Sequence, residues 1–430
     1  MTEKRNNASN VPTLRFPGFD EDWKSSSIGE LLDFKVTNSL SREKLNYTDG
    51  TIKNIHYGDI HTKFQTLFDI QNEEVPFINN DVPLNKIHEE SFCKVGDIVF
   101  ADASEDLNDI GKSIEILNTE NQKLLAGLHT LHGRPKPNVF YPGFVGYLFL
   151  SKKVRAQIQR EAQGAKVLGI SVGRISKVEL NYPSIEEQKK ISRLLSTIDA
   201  RIQTQNKIIE QLESLIKGIE EKIFNQQIIF KSNRNKEFLK WEKKKLSEIC
   251  REHQLKNNKN ENNEVFSVAK HKGVINQIEH LGRSFSAKEI SHYKLIYPGD
   301  LVYTKSPTSD FPFGIIKQNR TERIGVVSPL YCVFKPRTFA LGYLIHEYFK
   351  SSVNTYNYLN PLVQKGAKNT MNINNEDFLN GAKLLLPMDE DEQSEVANFL
   401  ILLDKKIELE KKILNQLKKK KKFLVANLFI

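Results

Sequence analysis

Residues 191–226 read ISRLLSTIDARIQTQNKIIEQLESLIKGIEEKIFNQ, and their apolar side chains recur at alternating steps of four and three. The series is Ile191, Leu195, Ile198, Ile202, Gln205, Ile209, Leu212, Ile216, Ile219 and Ile223. A period of about 3.5 residues, held for about five heptads, predicts a long helix that keeps one face against a partner helix.

A second copy of this pattern lies at the other end of the chain. Adding 205 to each number (396 − 191 = 205) gives Val396, Leu400, Leu403, Ile407, Glu410, Leu414, Leu417, Lys421, Leu424 and Leu428. Two ordinary amphipathic helices in separate cores are the alternative, but such helices drift off a strict heptad over this length. We therefore predict that the two helices bury their apolar faces against each other, with the polar members Gln205 and Glu410 at matching positions of the two series.

The segments in front of the two helices also repeat. Matches occur in the same order at offsets from 196 (342 − 146) to 218 (241 − 23), which indicates a tandem fold. The matched groups are Trp23, Ile28, Glu30 and Leu31 with Trp241, Leu246, Glu248 and Ile249; 95–99 with 298–302; 146–148 with 342–344; 164–166 with 366–368; and Pro183, Glu187 and Gln188 with Pro387, Glu392 and Gln393. Between these anchors the halves have diverged, as recognition loops on a constant scaffold do.

Short apolar runs separated by turn signals predict an α+β fold in each half. In the first half we expect strands at 98–100, at 113–117 and within 124–131, and one helix from Val145 to Gln163 that ends at Gly164. In the second half a strand is expected at 331–334.

Composition limits the class of protein. The chain has 430 residues, 39% hydrophobic and 27% charged, and no apolar run approaches the length of about 20 residues needed to cross a bilayer. Without an apolar signal core at the N-terminus and with only three scattered cysteines, we expect a reducing, cytoplasmic location. The net charge of +10 suggests a polyanionic partner, although solubility alone would also account for it.

No pattern typical of catalysis was found in the sequence. Glycine-rich phosphate-binding loops are missing, and His129 and His132 have no acidic or cysteine partner at metal-ligand spacing. Ser328–Tyr331 resembles the Asp/Asn-Pro-Pro-Tyr/Phe motif of adenine methyltransferases, but Leu330 replaces a proline and a turn is the better interpretation. We predict no catalytic residues and no metal site.

Basic and polar residues in the loops are the candidates for contact with a polyanion such as DNA. Lys166, Arg174 and Lys368 lie beside glycines, where a loop can bring cationic side chains close to phosphates. The candidates are Lys166, Ser171, Arg174, Asn108 and Lys112 in the first half, and Lys305, Ser306, Lys368, Asn369 and Thr370 in the second.

Taken together, the chain resembles a specificity subunit of a type I restriction-modification enzyme. The residues that carry the resemblance are Leu180–Pro183, Ile185–Ile191, Leu194, Leu195, Ile198 and Asp199, with a second copy at Leu384–Pro387, Glu392, Gln393, Val396, Leu400, Leu403 and Asp404. Gly127–Thr130 also looks like the first-domain pattern of that family. The second copy is looser, with Met388 and Asp389 inserted and 328–331 standing where the first half has 127–130.

The resemblance implies two target recognition domains, each reading one half of a split, asymmetric DNA sequence. It also implies that the two long helices form an antiparallel coiled coil with a pseudo-two-fold arrangement, in which Gln205 and Glu410 would lie close together and fix the register. The corresponding boundaries are a disordered tail at 1–11, domains at 12–183 and 231–387, and coiled-coil helices at 184–230 and 388–430. It also implies two modification subunits as partners, which bind S-adenosylmethionine and methylate adenine, and two restriction subunits that, where present, use ATP and magnesium. The specificity subunit itself would hold no cofactor. The alternative from another class is a scaffold in which two modules on a coiled coil bind other proteins.

Overall fold

The computed structural model of the chain describes residues 11–83, 87–230, 238, 240–270, 272–284, 286, 289–365 and 371–430. Nearly all of the predicted N-terminal tail, a basic stretch at 231–236 and the match at 366–368 lie outside the described residues. The chain divides into two compact units. Unit 1 comprises the described residues up to Lys207 together with Lys412–Ile430, and unit 2 comprises Ile208–Lys411.

Unit 1 combines short strands with helices. Its strands are β1 (Lys24–Ser27), β2 (Leu32–Lys35), β3 (Leu45–Asn46), β4 (Ile52–Ile55), β5 (Leu67–Asp69), β6 (Phe77–Ile78), β7 (Ile98–Ala101), β8 (Ala103–Ser104), β9 (Ser113–Asn118), β10 (Lys123–Ala126), β11 (Thr130–Pro135), β12 (Leu168–Gly169) and β13 (Glu179–Tyr182). Its helices are α1 (Ile28–Leu31), α2 (Tyr57–Thr62), α3 (Phe144–Leu148), α4 (Lys152–Glu161), α5 (Val172–Ile175) and the first part of α6 (Ile185–Phe224), with 3-10 turns at Arg42–Lys44 and Glu89–Ser91.

Unit 2 is built in the same way. Its strands are β14 (Glu242–Lys244), β15 (Cys250–Glu252), β16 (Phe266–Ala269), β17 (Gly273–Asn276), β18 (Lys294–Ile296), β19 (Leu301–Thr304), β20 (Ile315–Gln318), β21 (Gly325–Val327), β22 (Cys332–Pro336), β23 (Gln364–Lys365), β24 (Met371–Asn372) and β25 (Leu384–Leu386). Its helices are α7 (Leu246–Ile249), α8 (Gln277–Leu281), α9 (Phe339–Tyr348), α10 (Ser352–Leu359), α11 (Asn375–Leu379) and most of α12 (Glu390–Leu428), with a 3-10 turn at Asn360–Leu362.

The central sheets of the two units have the same strand order. Unit 1 has β2-β11-β7-β9-β5, and unit 2 has β15-β22-β19-β20, which lacks only a counterpart of the edge strand β5. In both units the strand before the first short helix pairs with the strand before the long helix, as β1 with β13 and as β14 with β25. The predicted strands at 98–100, 113–117 and 124–131 are confirmed as β7, β9 and the pair β10 and β11, and the strand at 331–334 as β22.

One predicted helix was wrong. The segment 145–163 forms two helices, α3 and α4, which are separated at Ser151. The Ser151 side chain is 2% exposed and accepts a hydrogen bond from the backbone N–H of Val154, so it starts a new helix where periodicity suggested continuation. Unit 2 breaks at the equivalent place, where Ser351 accepts from the N–H of Asn354.

One glutamine near the start of each long helix is buried and forms a hydrogen bond with the backbone. The side-chain amide of Gln188 donates to the Pro183 carbonyl, and that of Gln393 donates to the Pro387 carbonyl, both at 3.0 Å. A buried side-chain amide needs hydrogen-bond partners, and these two bonds hold the turn between the preceding strand and the long helix. The repeated proline and glutamine therefore have a structural role.

The predicted seam positions on α6 and α12 are all buried or half-buried. In unit 1 the start of α6 shares a core with the end of α12, through Leu195 and Leu428, with Trp23 and Phe144 in the same cluster. Other side chains on the same helices face solvent. Leu215 is 59% exposed and Leu402 is 63% exposed.

In unit 2 the end of α6 shares a core with the start of α12, through Ile223 and Leu400. In each unit, the start of one long helix therefore shares a core with the end of the other long helix. Gln205 and Glu410, the polar members of the two series, are each 8% exposed, and Glu410 pairs with Lys406 at 2.5 Å.

Candidate nucleic-acid interface

Several loops of unit 1 meet at the short strand β8. β8 directly follows the central strand β7 and pairs with β12, while the N–H of Ile170 donates to the Asp102 carbonyl at 2.9 Å. On its other side, Nε2 of His61 on α2 lies 3.0 Å from the Ala103 carbonyl oxygen. The segments 57–62, 102–112 and 163–171 are therefore held next to one another on a rigid sheet.

The turn 127–130 adds a fourth segment. A Cβ on Gly127 would lie 2.4 Å from Nδ2 of Asn54, so only glycine fits there. His129 has φ +56°, a left-handed conformation that is uncommon for residues other than glycine, although histidine, like asparagine and aspartate, is enriched there. The turn is held by the Thr130 hydroxyl, which donates to the Gly127 carbonyl at 2.5 Å, and by the N–H of Asp102, which donates to the His129 carbonyl at 3.0 Å.

The rings of the segments 57–62 and 127–130 pack edge to face. The Tyr57 ring lies 5.3 Å from that of His129 and 6.0 Å from that of His61. His129 Nδ1 lies 3.2 Å from Oδ1 of Asp102. Burial raises the pKa of the Asp102 carboxyl, and the adjacent His129 opposes that rise.

Two cations lie beside Asp59 on α2, the helix that also carries Tyr57 and His61. The Arg42 guanidinium forms two 2.8 Å hydrogen bonds to Asp59, whose side chain is 1% exposed, while its own side chain is 42% exposed. Lys63 lies 3.6 Å from the same carboxylate. Two cations around one carboxylate leave a local excess of positive charge, which attracts a polyanion.

His56 lies directly before Tyr57 at the start of α2. Burial, followed by the charge of Arg42, lowers the pKa of His56, and its Nδ1 accepts a hydrogen bond from the N–H of Gly58. It caps the start of α2 and thereby orients Tyr57.

The residues predicted from the first half lie around the same strand. Lys166 is exposed in the hairpin between Gln163 and Gly169, and Ser171 is exposed at the start of α5. Arg174 is half-buried, and its guanidinium contacts Glu161 at 3.4 Å.

The two remaining candidates are engaged with the protein itself. The Asn108 side chain donates to Asp106, and the Lys112 ammonium donates to the His61 carbonyl at 2.5 Å. Lys112 is 36% exposed, so its charge still contributes to the surface.

In unit 2 the candidates Lys305 and Ser306 follow the central strand β19, at the position where β8 follows β7 in unit 1. Ser306 is exposed, whereas Lys305 is half-buried and burial lowers its pKa. Lys368, Asn369 and Thr370 lie outside the described residues.

Tyr57, His61 and Arg42 were missed by sequence reasoning. They lie in a polar segment with no periodicity or motif, and only the fold brings them beside β8. His129 was considered as a metal ligand with His132, but the two have different partners. His132 is fully buried, and its Nε2 lies 2.7 Å from Asp97.

The described part of the chain contains no cluster of three or more histidine, cysteine, aspartate or glutamate side chains that could hold a metal ion. No helix in the described ranges is long and apolar enough to cross a membrane. Two units with the same strand order in their central sheets define a two-module protein.

Comparison with known proteins shows what the chain is similar to. Residues 20–214 match the family model described as the type I restriction modification DNA specificity domain. The match covers 195 of the 430 residues (214 − 20 + 1 = 195), somewhat under half of the chain.

Curated relatives come from Methanocaldococcus jannaschii. A protein assigned as the MjaX type I restriction enzyme specificity subunit is 27% identical over 215 residues, 48% of this chain and 47% of the relative. The MjaVIII specificity subunit is 31% identical over 109 residues, 24% of this chain and 26% of the relative. The aligned region thus spans about half the length of the first relative and less of the second.

The fold is similar over almost the whole chain to the crystal structure of a type I restriction-modification S subunit from M. genitalium. The TM-score is 0.57 at 14% identity, covering 98% of this chain and 99% of that chain. At this identity the similarity concerns the fold.

Proposed function

We propose that this chain is the DNA specificity subunit of a type I restriction-modification complex. Each unit reads one half of a split, asymmetric DNA target, and the chain positions subunits that methylate adenine. The observation that carries the proposal is the match of residues 20–214 to a DNA specificity domain. Unit 2 supports it with the same strand order and with the same hydrogen bond from a buried glutamine at the start of its long helix.

The chain acts as an adaptor in this proposal. S-adenosylmethionine would be bound by two modification subunits, and ATP with magnesium by two restriction subunits where these are present. What the chain contributes is the placement of two recognition surfaces on one duplex.

The long helices serve as a spacer in an antiparallel coiled coil. Each helix begins in one unit and ends in the other, and the seam positions are buried or half-buried while Leu215 and Leu402 are exposed. A helix of 40 residues is about 60 Å long at about 1.5 Å per residue. A heptad inserted into both helices, near Gln205 and Glu410, is therefore expected to lengthen the gap between half-sites. An unchanged gap would contradict the spacer.

DNA contact is expected to depend strongly on salt, because lysine and arginine side chains displace counterions from phosphates. Affinity for duplex DNA is expected to fall at least tenfold between about 50 and 200 mM salt. A flat response would contradict phosphate-dominated binding.

Mapping methylated adenines is the direct test. The full chain is expressed with the modification subunit encoded with it, in cells that lack adenine methylation, and the DNA is sequenced for N6-methyladenine. Methylation confined to one two-part motif is expected. If the chain is instead a protein-binding scaffold, methylation will show no dependence on this chain, and duplex binding will show no sequence preference.

A further inference from the structure

On the basis of the proposed function, we propose that Tyr57 and His129 form the base-contacting pair of unit 1. In this pair the Tyr57 hydroxyl and Nε2 of His129 make hydrogen bonds to base edges of one half-site. The two rings are adjacent, with centroids 5.3 Å apart, although 72 residues separate them in the chain (129 − 57 = 72).

Both rings are oriented by contacts that leave their polar tips free. Asp102 engages Nδ1 of His129, while Tyr57 is packed between His56, at 4.7 Å, and His61. Within the part of the chain that the structure describes, neither Nε2 of His129 nor the Tyr57 hydroxyl has a hydrogen-bond partner. Groups held in place before binding lose little conformational entropy on contact with a ligand.

The chemistry of these tips suits the edges of bases. Nδ1 of His129 faces Asp102, so Nε2 is left to form a hydrogen bond with a base edge. The Tyr57 hydroxyl both donates and accepts. Arg42 and Lys63 contact Asp59 on the same helix as Tyr57, and Lys112 donates to the His61 carbonyl, so positive charge that can attract phosphates lies near the pair.

A purely structural role accounts poorly for His129. Its side chain is 50% exposed, so the core does not need the ring, and its left-handed backbone would be relaxed by glycine. Strain kept at an exposed polar residue is typical of functional sites.

The test uses His129→Asn and Tyr57→Phe in the full chain, assembled with its modification subunit. Asparagine tolerates the left-handed backbone, and phenylalanine keeps the ring contacts while it removes the hydroxyl. His88→Asn is the matched control, since His88 is an exposed histidine of unit 1 and has no hydrogen bond from its side chain among the described residues. Each complex is used to select duplexes from a random library, and selected duplexes are sequenced.

Each variant is expected to lose about tenfold in preference at one or two positions of a single half-site, with the other half-site and the gap unchanged. His88→Asn should give the wild-type motif. If Tyr57→Phe and His129→Asn also keep the wild-type motif, or weaken all sequences equally, the pair does not contact bases. A wild-type complex that selects no motif would instead contradict the proposed function.

Discussion

Asp199 in unit 1 and Asp404 in unit 2 occupy equivalent positions on the two long helices, and both accept a hydrogen bond from a buried tyrosine. Tyr147 donates to Asp199 at 2.7 Å, and Tyr343 donates to Asp404 at 2.6 Å. Both units thus keep the hydrogen bond between the tyrosine and the aspartate. The cationic partner of the aspartate differs between the units, and in unit 1 it is Lys421, at 2.7 Å from Asp199.

In unit 2 the counter-charge comes from two other elements. Arg320 lies 3.2 Å from Asp404 and stacks 3.7 Å above the Tyr343 ring, and Lys350 lies 3.6 Å from the same carboxylate. The comparison teaches that two copies of one fold keep the hydrogen bond that fixes the helix, while the surrounding charges are free to change.

At a second pair of equivalent positions, a hydrogen-bond acceptor in unit 1 corresponds to a hydrogen-bond donor in unit 2. Glu115 pairs with Ile98 across the central sheet of unit 1, as Gln318 pairs with Leu301 in unit 2. Glu115 accepts from the N–H groups of Gly143 and Gly146, at 2.6 and 2.7 Å.

Gln318 instead donates to the Gly299 and Phe339 carbonyls, at 3.2 and 3.0 Å. Unit 1 therefore contains a buried carboxyl group where unit 2 has a neutral amide. The two copies should differ in their response to pH for this reason.

The largest expected effect tests whether the helix cores are equivalent. Leu195→Ala and Leu400→Ala each remove a side chain that is at most 2% exposed, and each is expected to destabilise its own unit by about 3 kcal/mol. Hydrogen exchange resolved by peptide would place the loss in unit 1 for the first and in unit 2 for the second. Leu215→Ala, at a position 59% exposed on the same helix as Leu195, is the control and should change stability by less than about 0.5 kcal/mol. A large loss of stability in only one of the two leucine variants would show that the two helix cores are not equivalent.

The next effect concerns pH. Burial raises the pKa of Glu115 to about 7, above its ordinary value of 4.5. A carboxyl group with a raised folded-state pKa contributes stability that is complete below pH 4.5 and is lost as the pH rises through 7. Unit 1 is therefore expected to lose about 2 kcal/mol between pH 5 and 8.

Unit 2 should respond in the opposite direction over the lower part of this range. Burial lowers the pKa of His346 well below 6.5, so the stability it contributes is present above pH 6.5 and is lost as the pH falls. Hydrogen exchange of the two units at pH 5, 6, 7 and 8 measures both slopes. Glu115→Gln should abolish the slope of unit 1, whatever its effect on absolute stability, and a slope that persists in this variant would assign it to another group.

Removing the tyrosine hydroxyls sharpens the comparison of the two aspartates. Tyr147→Phe should cost about 1.5 kcal/mol and Tyr343→Phe about 1 kcal/mol, because Asp404 retains two cationic partners and Asp199 only one. Urea unfolding of the two variants, with hydrogen exchange to assign each loss to its unit, gives both values. A greater loss from Tyr343→Phe would show that the extra cations do not compensate.

The sequence was sufficient to predict the long helices, the tandem halves and the strands at 98–100 and 113–117. Heptad spacing and repeated anchors such as Pro183 with Gln188 are local signals, and local signals survive in one sequence. The helix break at Ser151 was missed, because apolar spacing continued through it and the cap depended on a buried hydroxyl.

The candidate interface was harder to predict. Lys166, Ser171 and Lys112 were found from their residue types and neighbours, and they do lie around β8. Tyr57 was missed, because its contact with His129 depends on a parallel pairing of β4 with β10 that nothing local encodes. Non-local strand pairing is decided by the whole core, so a single sequence carries little of it.

The smallest effect tests the helix break that both units share. Ser151→Ala removes a cap whose side chain is 2% exposed, and Ser351→Ala removes one that is exposed to water. Water can replace the hydroxyl at Ser351 but not at Ser151, so we expect losses of about 1 and about 0.5 kcal/mol. The chain has two tryptophans, Trp23 in unit 1 and Trp241 in unit 2. Urea unfolding in backgrounds that keep one or the other reports each unit separately. Equal losses of stability would mean that the two helix breaks are set by the surrounding core and that the serine caps contribute alike. The expected inequality would mean that the helix ends, like Asp199 and Asp404, share a geometry whose energetic support differs between the two units.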